Sequence, residues 1–191
     1  MLFIESERLR MIPLTHQLLQ LLHTDRPSME LSLGLAVSSM QIDPFYKNEV
    51  DDAMINFWLP KTLEHPDTYM WYTNWEIILK IDKLSIGGMG FAGEPNENGE
   101  VETGYMIDRQ QHNKGYATEA LQLLTQWAFT QQKVKTIIVH TFDNNLPSRK
   151  ILAKCGFHET GTDGEGLMTF KLKNGENILN RRPIQYLKLA F

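Results

Sequence analysis

Residues 102–121 read ETGYMIDRQQHNKGYATEAL, and this stretch decides the fold. It consists of a strand pattern, a polar loop RQQHNK, and an amphipathic helix pattern that begins at Gly115. A helix start leaves backbone N–H groups free and carries the positive end of the helix dipole. Gly115 lets the backbone approach a phosphate closely, and Ala117 keeps the next turn small. The stretch therefore predicts an anion cradle, whose natural ligand is a pyrophosphate.

Strand patterns lie on both sides of this stretch. They cover ERLRMIPL (7–14), MWYTNWEIILKI (70–81), LSIGGMGFAG (84–93), VETGYMID (101–108), VKTIIVHTF (134–142) and LMTFKLK (167–173). Short turns join the second, third and fourth of these segments, which predicts antiparallel neighbours. The fifth contains a continuous apolar run, so we expect it to be central and buried on both faces.

Helix patterns fill most of the remaining chain. They are predicted over 16–24 behind the capping residue Thr15, within 49–60, from Gly115 to about Gln131, and over 146–155 behind Asn145. Most of 26–66 carries little signal. Because strands come first and helices alternate with strands later, the order predicts a single α+β (mixed α/β) domain over 1–191, not a doubly wound sheet.

Composition limits the partners and the compartment. The 191 residues carry a net charge of -4, with 42% hydrophobic and 22% charged residues, as soluble globular domains do. No cationic field would gather nucleic acid. One cysteine, Cys155, excludes an internal disulfide and favours a reducing compartment. Without a leader-like start or an apolar run of about 18 residues, we expect a cytoplasmic protein with no membrane contact.

Metal chemistry has no support in the sequence. The six histidines are scattered without the spacing of a ligand set: His16, His23, His65, His112, His140 and His158. We therefore expect no metal. Gly87, Gly88 and Gly90 lie between strands and do not open a helix, so they favour a bulge or close packing over a dinucleotide site.

A second block, NNLPSRKILAKCGF (144–157), completes a recognisable set of motifs. HNKGYA (112–117) resembles the cofactor loop R/Q-x-x-G-x-G/A of the GNAT superfamily, and the second block resembles that family's N-x-x-S-x-x-x-x-x-K-x-G-F pattern. YATEAL (116–121) and SERLRMIPL (6–14) are similar to the branch of RimJ/RimL ribosomal-protein acetyltransferases. The resemblance implies a GNAT-like fold, with a mostly antiparallel twisted sheet of about seven strands flanked by helices.

The resemblance also implies a ligand and the residues that bind it. The ligand is acetyl-CoA, which serves as the acyl donor, and a homodimer is common among similar proteins. In the loop, His112 stands where Arg or Gln is usual, and Asn113 stands where glycine is frequent. The implied cofactor-binding residues are Met106, Ile107, His112, Asn113, Lys114, Gly115, Tyr116, Ala117, Thr118, Asn145 and Ser148.

Catalytic roles follow from the same resemblance. An amine must lose a proton, attack the thioester and expel a thiolate. A backbone amide near Met106 or Ile107 would bind the acetyl carbonyl, and Glu102 would be the general base, directly or through water. Many relatives protonate the thiolate with a tyrosine at the position of Leu152, which leaves Ser148 as the hydroxyl candidate.

Plainer interpretations stay open for several of these residues. Glu102 is also explained as a charged residue on a half-exposed strand, and Ser148 as a capping hydroxyl in the first helical turn. His112 is also explained as a solvated loop residue. The aromatic residues fit either an acceptor pocket or the core, and core is the commoner place for such a run: Trp58, Trp71, Tyr72 and Trp75.

The sequence thus favours one function and keeps a second. The first is transfer of an acetyl group from acetyl-CoA to a primary amine, on a protein N-terminus or a small molecule, by direct attack in a ternary complex. The alternative is a non-catalytic CoA-binding or regulatory module, suggested by Leu152 and by the altered loop. A nucleotide-binding enzyme would need G-x-x-x-x-G-K-[ST], which is absent from the sequence.

Overall fold

A computed structural model describes residues 1–42, 44–175 and 185–188. Its nine strands, in chain order, are β1 Leu2–Glu5, β2 Leu9–Pro13, β3 Asn74–Leu79, β4 Leu84–Phe91, β5 Glu100–Ile107, β6 Thr136–Phe142, β7 His158–Thr162, β8 Leu167–Lys173 and β9 Gln185–Lys188. They form one sheet in the order β7-β8-β6-β5-β4-β3-β2-β1-β9. Neighbouring strands are antiparallel except β5 and β6, which are parallel.

Helices lie between the strands along the chain. Four are between β2 and β3, one is between β5 and β6, and one is between β6 and β7: α1 His16–Thr24, α2 Arg26–Ser32, α3 Pro44–Ala53, α4 Leu59–Glu64, α5 Tyr116–Phe129 and α6 Leu146–Lys154. A π-helical segment, Met54–Trp58, joins α3 to α4. The helix predicted within 49–60 is therefore present and longer than expected. Within the described ranges, no helix is both long and apolar enough to cross a membrane.

Two apolar layers enclose the sheet. The larger cluster contains Met11 and the inner face of α5, whereas Ile12 belongs to a second cluster with Leu35 and Ile78. Successive side chains of a strand point to opposite faces, so these clusters lie on opposite sides of the sheet. The predicted α+β fold with a mostly antiparallel sheet flanked by helices is confirmed, with nine strands where about seven were expected.

The prediction that residues 134–142 are buried on both faces is wrong. In β6, Ile137, Val139 and Thr141 are buried, but Ile138 is half-buried and His140 is exposed. Burial therefore alternates along β6, and only one face of the strand packs on the core. The prediction of one domain over 1–191 stays a prediction, since residue 43, residues 176–184 and residues 189–191 lie outside the described residues.

Candidate active site

The sheet opens into a fork between β5 and β6. These strands pair only from Glu100 with Thr136 to Glu102 with Ile138. Beyond Glu102, β5 stays paired with β4 as far as Ile107, and β6 stays paired with β8 to its end. The two strands are thus held by their outer neighbours while their inner edges separate.

The fork leaves the inner backbone edge of β5 without a strand partner beyond Glu102. Asp108 N–H donates to Ile86 O at 2.8 Å, which continues the ladder between β5 and β4. Hydrogen bonding to one neighbour alternates along an antiparallel strand. Met106, two residues earlier, therefore turns its N–H to β4, and Ile107 turns its N–H to the fork. This geometry argues against Met106 and for Ile107 as a carbonyl-binding amide.

The loop after β5 is shaped by two residues in the left-handed region. Asn113 has φ 62° and Gly115 has φ 82°. Among residues with a Cβ, Asn is one of the few that adopt this conformation readily. Asn113 therefore adopts the left-handed conformation for which glycine is usual in this loop. Gly115 is the N-cap of α5 and supplies no side chain, so the first-turn amides of Tyr116, Ala117 and Thr118 are available to a ligand.

His112 and Lys114 are tied to the loop itself. His112 Nε2 lies 2.9 Å from Ile107 O, so its ring anchors the loop to the end of β5. Lys114 Nζ donates to Gln111 Oε1 at 2.8 Å, and its carbonyl accepts from Arg8 Nη1 at 3.1 Å. His112 is therefore a structural anchor of the loop. Arg8 brings a cation to the helix start, since a Cβ on Gly115 would lie 3.5 Å from Arg8 Nη2.

Arg8 was not predicted as a site residue, although it lies within the SERLRMIPL motif. Its Nε donates to Glu119 Oε2 at 2.7 Å, and its guanidinium lies 4.6 Å from the centre of the Tyr116 ring. Burial acts to raise the pKa of Glu119, but hydrogen bonds from Ser6 and Arg8 outweigh it and hold that pKa below its usual value. These contacts join the turn between β1 and β2 to the first turn of α5.

The start of α6 faces the fork from the other side. Asn145 Oδ1 accepts from Ser148 N–H at 3.2 Å, so Asn145 caps α6 as predicted, and Asn145 Nδ2 donates to the Tyr46 hydroxyl at 2.9 Å. The Ser148 hydroxyl has a separate partner, the Tyr105 hydroxyl, at 2.9 Å. Burial raises the pKa of Tyr105 to about 12. Leu152 is fully buried, so the position that often carries tyrosine has no hydroxyl here.

Glu102 lies where the fork begins. Its side chain is 53% exposed, and its Oε2 lies 3.9 Å from His140 Nε2. Both residues line a cavity of about 450 Å³. Its apolar wall comes largely from the helical segment around the π turn, through Met54, Phe57 and Trp58. π-helical turns often occur at functional sites.

The aromatic residues divide between the core and the cavity. Trp71 and Trp75 are buried, with ring centroids 4.9 and 4.7 Å from that of Trp127, whereas Trp58 lines the cavity. Tyr72 stacks on His65. Core placement is thus confirmed for two of the four residues.

Close packing explains the glycines of β4. A Cβ on Gly88 would lie 2.1 Å from Asn74 Oδ1, and one on Gly90 would lie 2.6 Å from Thr73 O. A bulge interrupts the register between β3 and β4. The expectation of a bulge or close packing is therefore confirmed, and the two glycines leave the cavity wall free of side chains.

A buried polar network supports one end of the cavity. Arg26 Nε donates to Glu30 at 3.0 Å, its Nη2 contacts Glu76 and Ser85, and Asn74 Nδ2 donates to Glu76 Oε2 at 2.7 Å. Glu30 and Glu76 are almost fully buried. Burial raises the pKa of Glu76, and the Arg26 guanidinium acts in the opposite direction. None of these residues was predicted as a site residue. Arg26 lies 50 residues before Glu76 and 59 before Ser85, so no local sequence pattern indicates that they meet.

The sequence of this region matches a known protein family. A family model described as an acetyltransferase (GNAT) domain matches residues 8–158. The chain belongs to the GNAT acetyltransferase family. That range contains the fork, the loop, both facing helix starts and the cavity.

Relatives of this GNAT domain are similar over part or all of their length. The uncharacterized N-acetyltransferase YjdG of Bacillus subtilis is 38% identical over 86 residues, which is 45% of this chain and 51% of that protein. The chain therefore matches about half the length of that relative. A ribosomal-protein-S5-alanine acetyltransferase from Vibrio fischeri is 17% identical with TM-score 0.64, over 91% of this chain and 97% of that one.

RimJ of Mycobacterium smegmatis, solved with a CoA-disulfide, has TM-score 0.60 at 18% identity, over 94% of this chain and 88% of that one. At such identities the likeness shows a shared fold. The structure places the C-terminal end of α6 against the start of α5, since Cys155, which follows α6, has its Sγ 3.6 Å from Thr118 O. The ligand-binding roles of the cofactor residues stay predictions, and no group of three metal-binding side chains occurs in the described part of the chain.

Proposed function

We propose that this chain is an acetyl-CoA-dependent N-acetyltransferase that acts on a primary amine. The observation that carries the proposal is the fork, in which the Ile107 N–H faces the open edge of β5 and the following loop leads into the uncapped first turn of α5. Free amides at a helix start suit a pyrophosphate, and a single amide in a fork suits the carbonyl of a thioester. One ligand that carries both groups at opposite ends of an extended arm is acetyl-CoA.

The reaction needs two proton transfers, and it forms a nitrogen–carbon bond while it breaks a carbon–sulfur bond. The acceptor ammonium loses a proton, its nitrogen attacks the acetyl carbon, and the carbon–sulfur bond breaks. Glu102 is the proposed general base, supported by its exposure to the cavity at the start of the fork. Ser148 is the proposed proton donor to the thiolate, supported by its place at the start of α6 and its hydrogen bond to Tyr105.

The acceptor would enter through the cavity. A volume of about 450 Å³ accommodates a small amine or the first residues of a peptide, and both remain within the proposal. A homodimer and a cytoplasmic location remain expectations from the sequence. Size-exclusion chromatography with light scattering would test the first.

Two measurements on the full chain test this function. Acetyl-CoA at a hundredfold excess over its Kd should raise the free energy of unfolding by about 2.7 kcal/mol, whereas ATP, which has phosphates without a pantetheine arm, should not. Thiol release should then follow addition of an amine from a panel of peptides and small amines. Absence of both effects would overturn the proposal.

The runner-up, a non-catalytic CoA-binding module, is favoured by the missing hydroxyl at Leu152. It predicts the same stabilisation by acetyl-CoA without thiol release on any amine. The hydroxyls of Ser148 and Tyr105 argue for the enzyme, since they supply an alternative proton donor at the fork.

A further inference from the structure

His140 and Glu102 meet at the point where β5 and β6 separate. Glu102 pairs with Ile138, and His140 lies two residues further along β6, on the same face. Their side chains approach across the strands, with Nε2 and Oε2 3.9 Å apart. Two titratable groups that converge at the start of the fork lie where an amine must lose its proton.

The other ring nitrogen of His140 has its own partner. Nδ1 lies 3.1 Å from the hydroxyl of Thr169, which is the residue paired with His140 on β8. In the tautomer in which Nδ1 donates to Thr169 Oγ1, Nε2 carries the lone pair and faces Glu102. The ring is also 34% exposed, so a proton on it can leave to water.

The basic groups around the ring, Lys171 and Arg26, are paired with carboxylates other than Glu102. Lys171 on β8 donates to Glu100 Oε1 at 2.8 Å, so its charge is already paired. Across the cavity lie further charged side chains from α3, α2 and β3: Glu49, Asp52, Arg26 and Glu76. Arg26 is held by Glu30 and Glu76, away from the ring.

We propose that His140 and Glu102 form a proton relay for the acceptor amine, an inference that rests on the proposed acetyltransferase function. The acceptor N–H bond breaks and its proton passes to Glu102, directly or through one water. The proton then moves to His140 Nε2 and leaves to solvent. The neutral nitrogen attacks the acetyl carbon and the carbon–sulfur bond breaks. Ser148 gives its hydroxyl proton to the departing sulfur and takes the second nitrogen proton in its place, which yields the CoA thiol and the amide.

Substitutions at His140 separate a relay from a structural contact. His140→Gln keeps an N–H donor near the position of Nε2 but cannot carry a proton. A relay predicts that kcat/KM for the amine falls by about 10²-fold and loses its dependence on pH near neutrality, while acetyl-CoA binding is unchanged. Imidazole added to His140→Ala should restore part of the rate. His158→Gln, an exposed histidine on the edge strand β7, is the matched control and should behave like wild type.

The outcomes are distinct. If wild type releases no thiol with any amine, the proposed function and this relay both fall. If wild type turns over and His140→Gln keeps its pH profile, or if imidazole does not restore His140→Ala, the relay alone is overturned. If His140→Gln turns over at the full wild-type rate, His140 only orients Glu102, and the relay is again wrong.

Discussion

The hydroxyl oxygens of Tyr105 and Ser148 lie 2.9 Å apart and join β5 to the first turn of α6 across the fork. Because Asn145 N–H already donates to Phe142 O at 3.0 Å, the serine hydroxyl is not needed to bind the N-cap amide of α6. Its hydrogen bond to a tyrosine orients it within the fork. This contact gives the serine a role that a capping residue would not have.

Loss of the Ser148 hydroxyl should therefore slow turnover more than it affects binding. We expect Ser148→Ala to lower kcat by about 10²-fold, the usual effect of losing a general acid, with KM for acetyl-CoA little changed. Tyr105→Phe, which keeps the ring, should have a smaller effect of the same kind. Steady-state kinetics check this, with Thr160→Ala on β7 as a remote hydroxyl control. Equal kcat in Ser148→Ala and the control would remove Ser148 from the reaction.

Stability should fall in alkaline solution because two buried groups hold their protons. Burial raises the pKa of Tyr105 to about 12 and that of Cys155 to about 12. Unfolded chains release these protons near pH 10 and about 8.5, respectively. Between those values and about 12 the folded state binds more protons, so the free energy of unfolding decreases as pH rises.

Urea unfolding at several alkaline pH values measures this slope. Cys155→Ala should flatten it from about pH 8.5 upward, and Tyr105→Phe should flatten it only above about pH 10. A slope identical in wild type and both variants would contradict the burial of these groups. The same burial predicts that thiol reagents modify Cys155 only after unfolding.

Removal of Arg26 should destabilise the fold strongly. Arg26 is the shared partner of two buried carboxylates, Glu30 and Glu76, and its loss leaves their charge uncompensated. We expect Arg26→Met to lower the free energy of unfolding by about 3–5 kcal/mol in urea. Lys47→Met, which breaks an exposed pair with Asp51, should cost under about 1 kcal/mol. Similar losses in both variants would show that the network contributes little.

A side chain at Gly115 should damage the cradle. Gly115 has φ 82°, a conformation that costs an L residue about 1–2 kcal/mol. We expect Gly115→Ala to lower stability by about this amount and to weaken acetyl-CoA binding by about tenfold in titration calorimetry. Gly161→Ala is the control, since its Cβ would meet open space. Unchanged affinity in Gly115→Ala would place the pyrophosphate elsewhere.

Patterns local in the chain made much of this protein predictable. Thr15 and Asn145 cap their helices as expected, and the amphipathic helix predicted after Gly115 buries Leu121, Leu124 and Ala128. Capping, turn chemistry and hydrophobic periodicity act within a few residues, so a sequence displays them. The order of elements then restricts the fold to a mixed sheet with a cradle after one strand.

Only the tertiary structure decided which residues meet. Three polar pairs join residues that are tens of positions apart in the chain: Glu102 and His140, Tyr105 and Ser148, and Arg26 and Glu76. Strand register brings the first pair together, and the packing of α6 and α2 on the sheet brings the other two together. A slip of one residue would turn each strand residue of these pairs to the other face of the sheet. The sequence by itself therefore determined the fold and the ligand cradle, whereas register and packing determined the polar pairs that line the site.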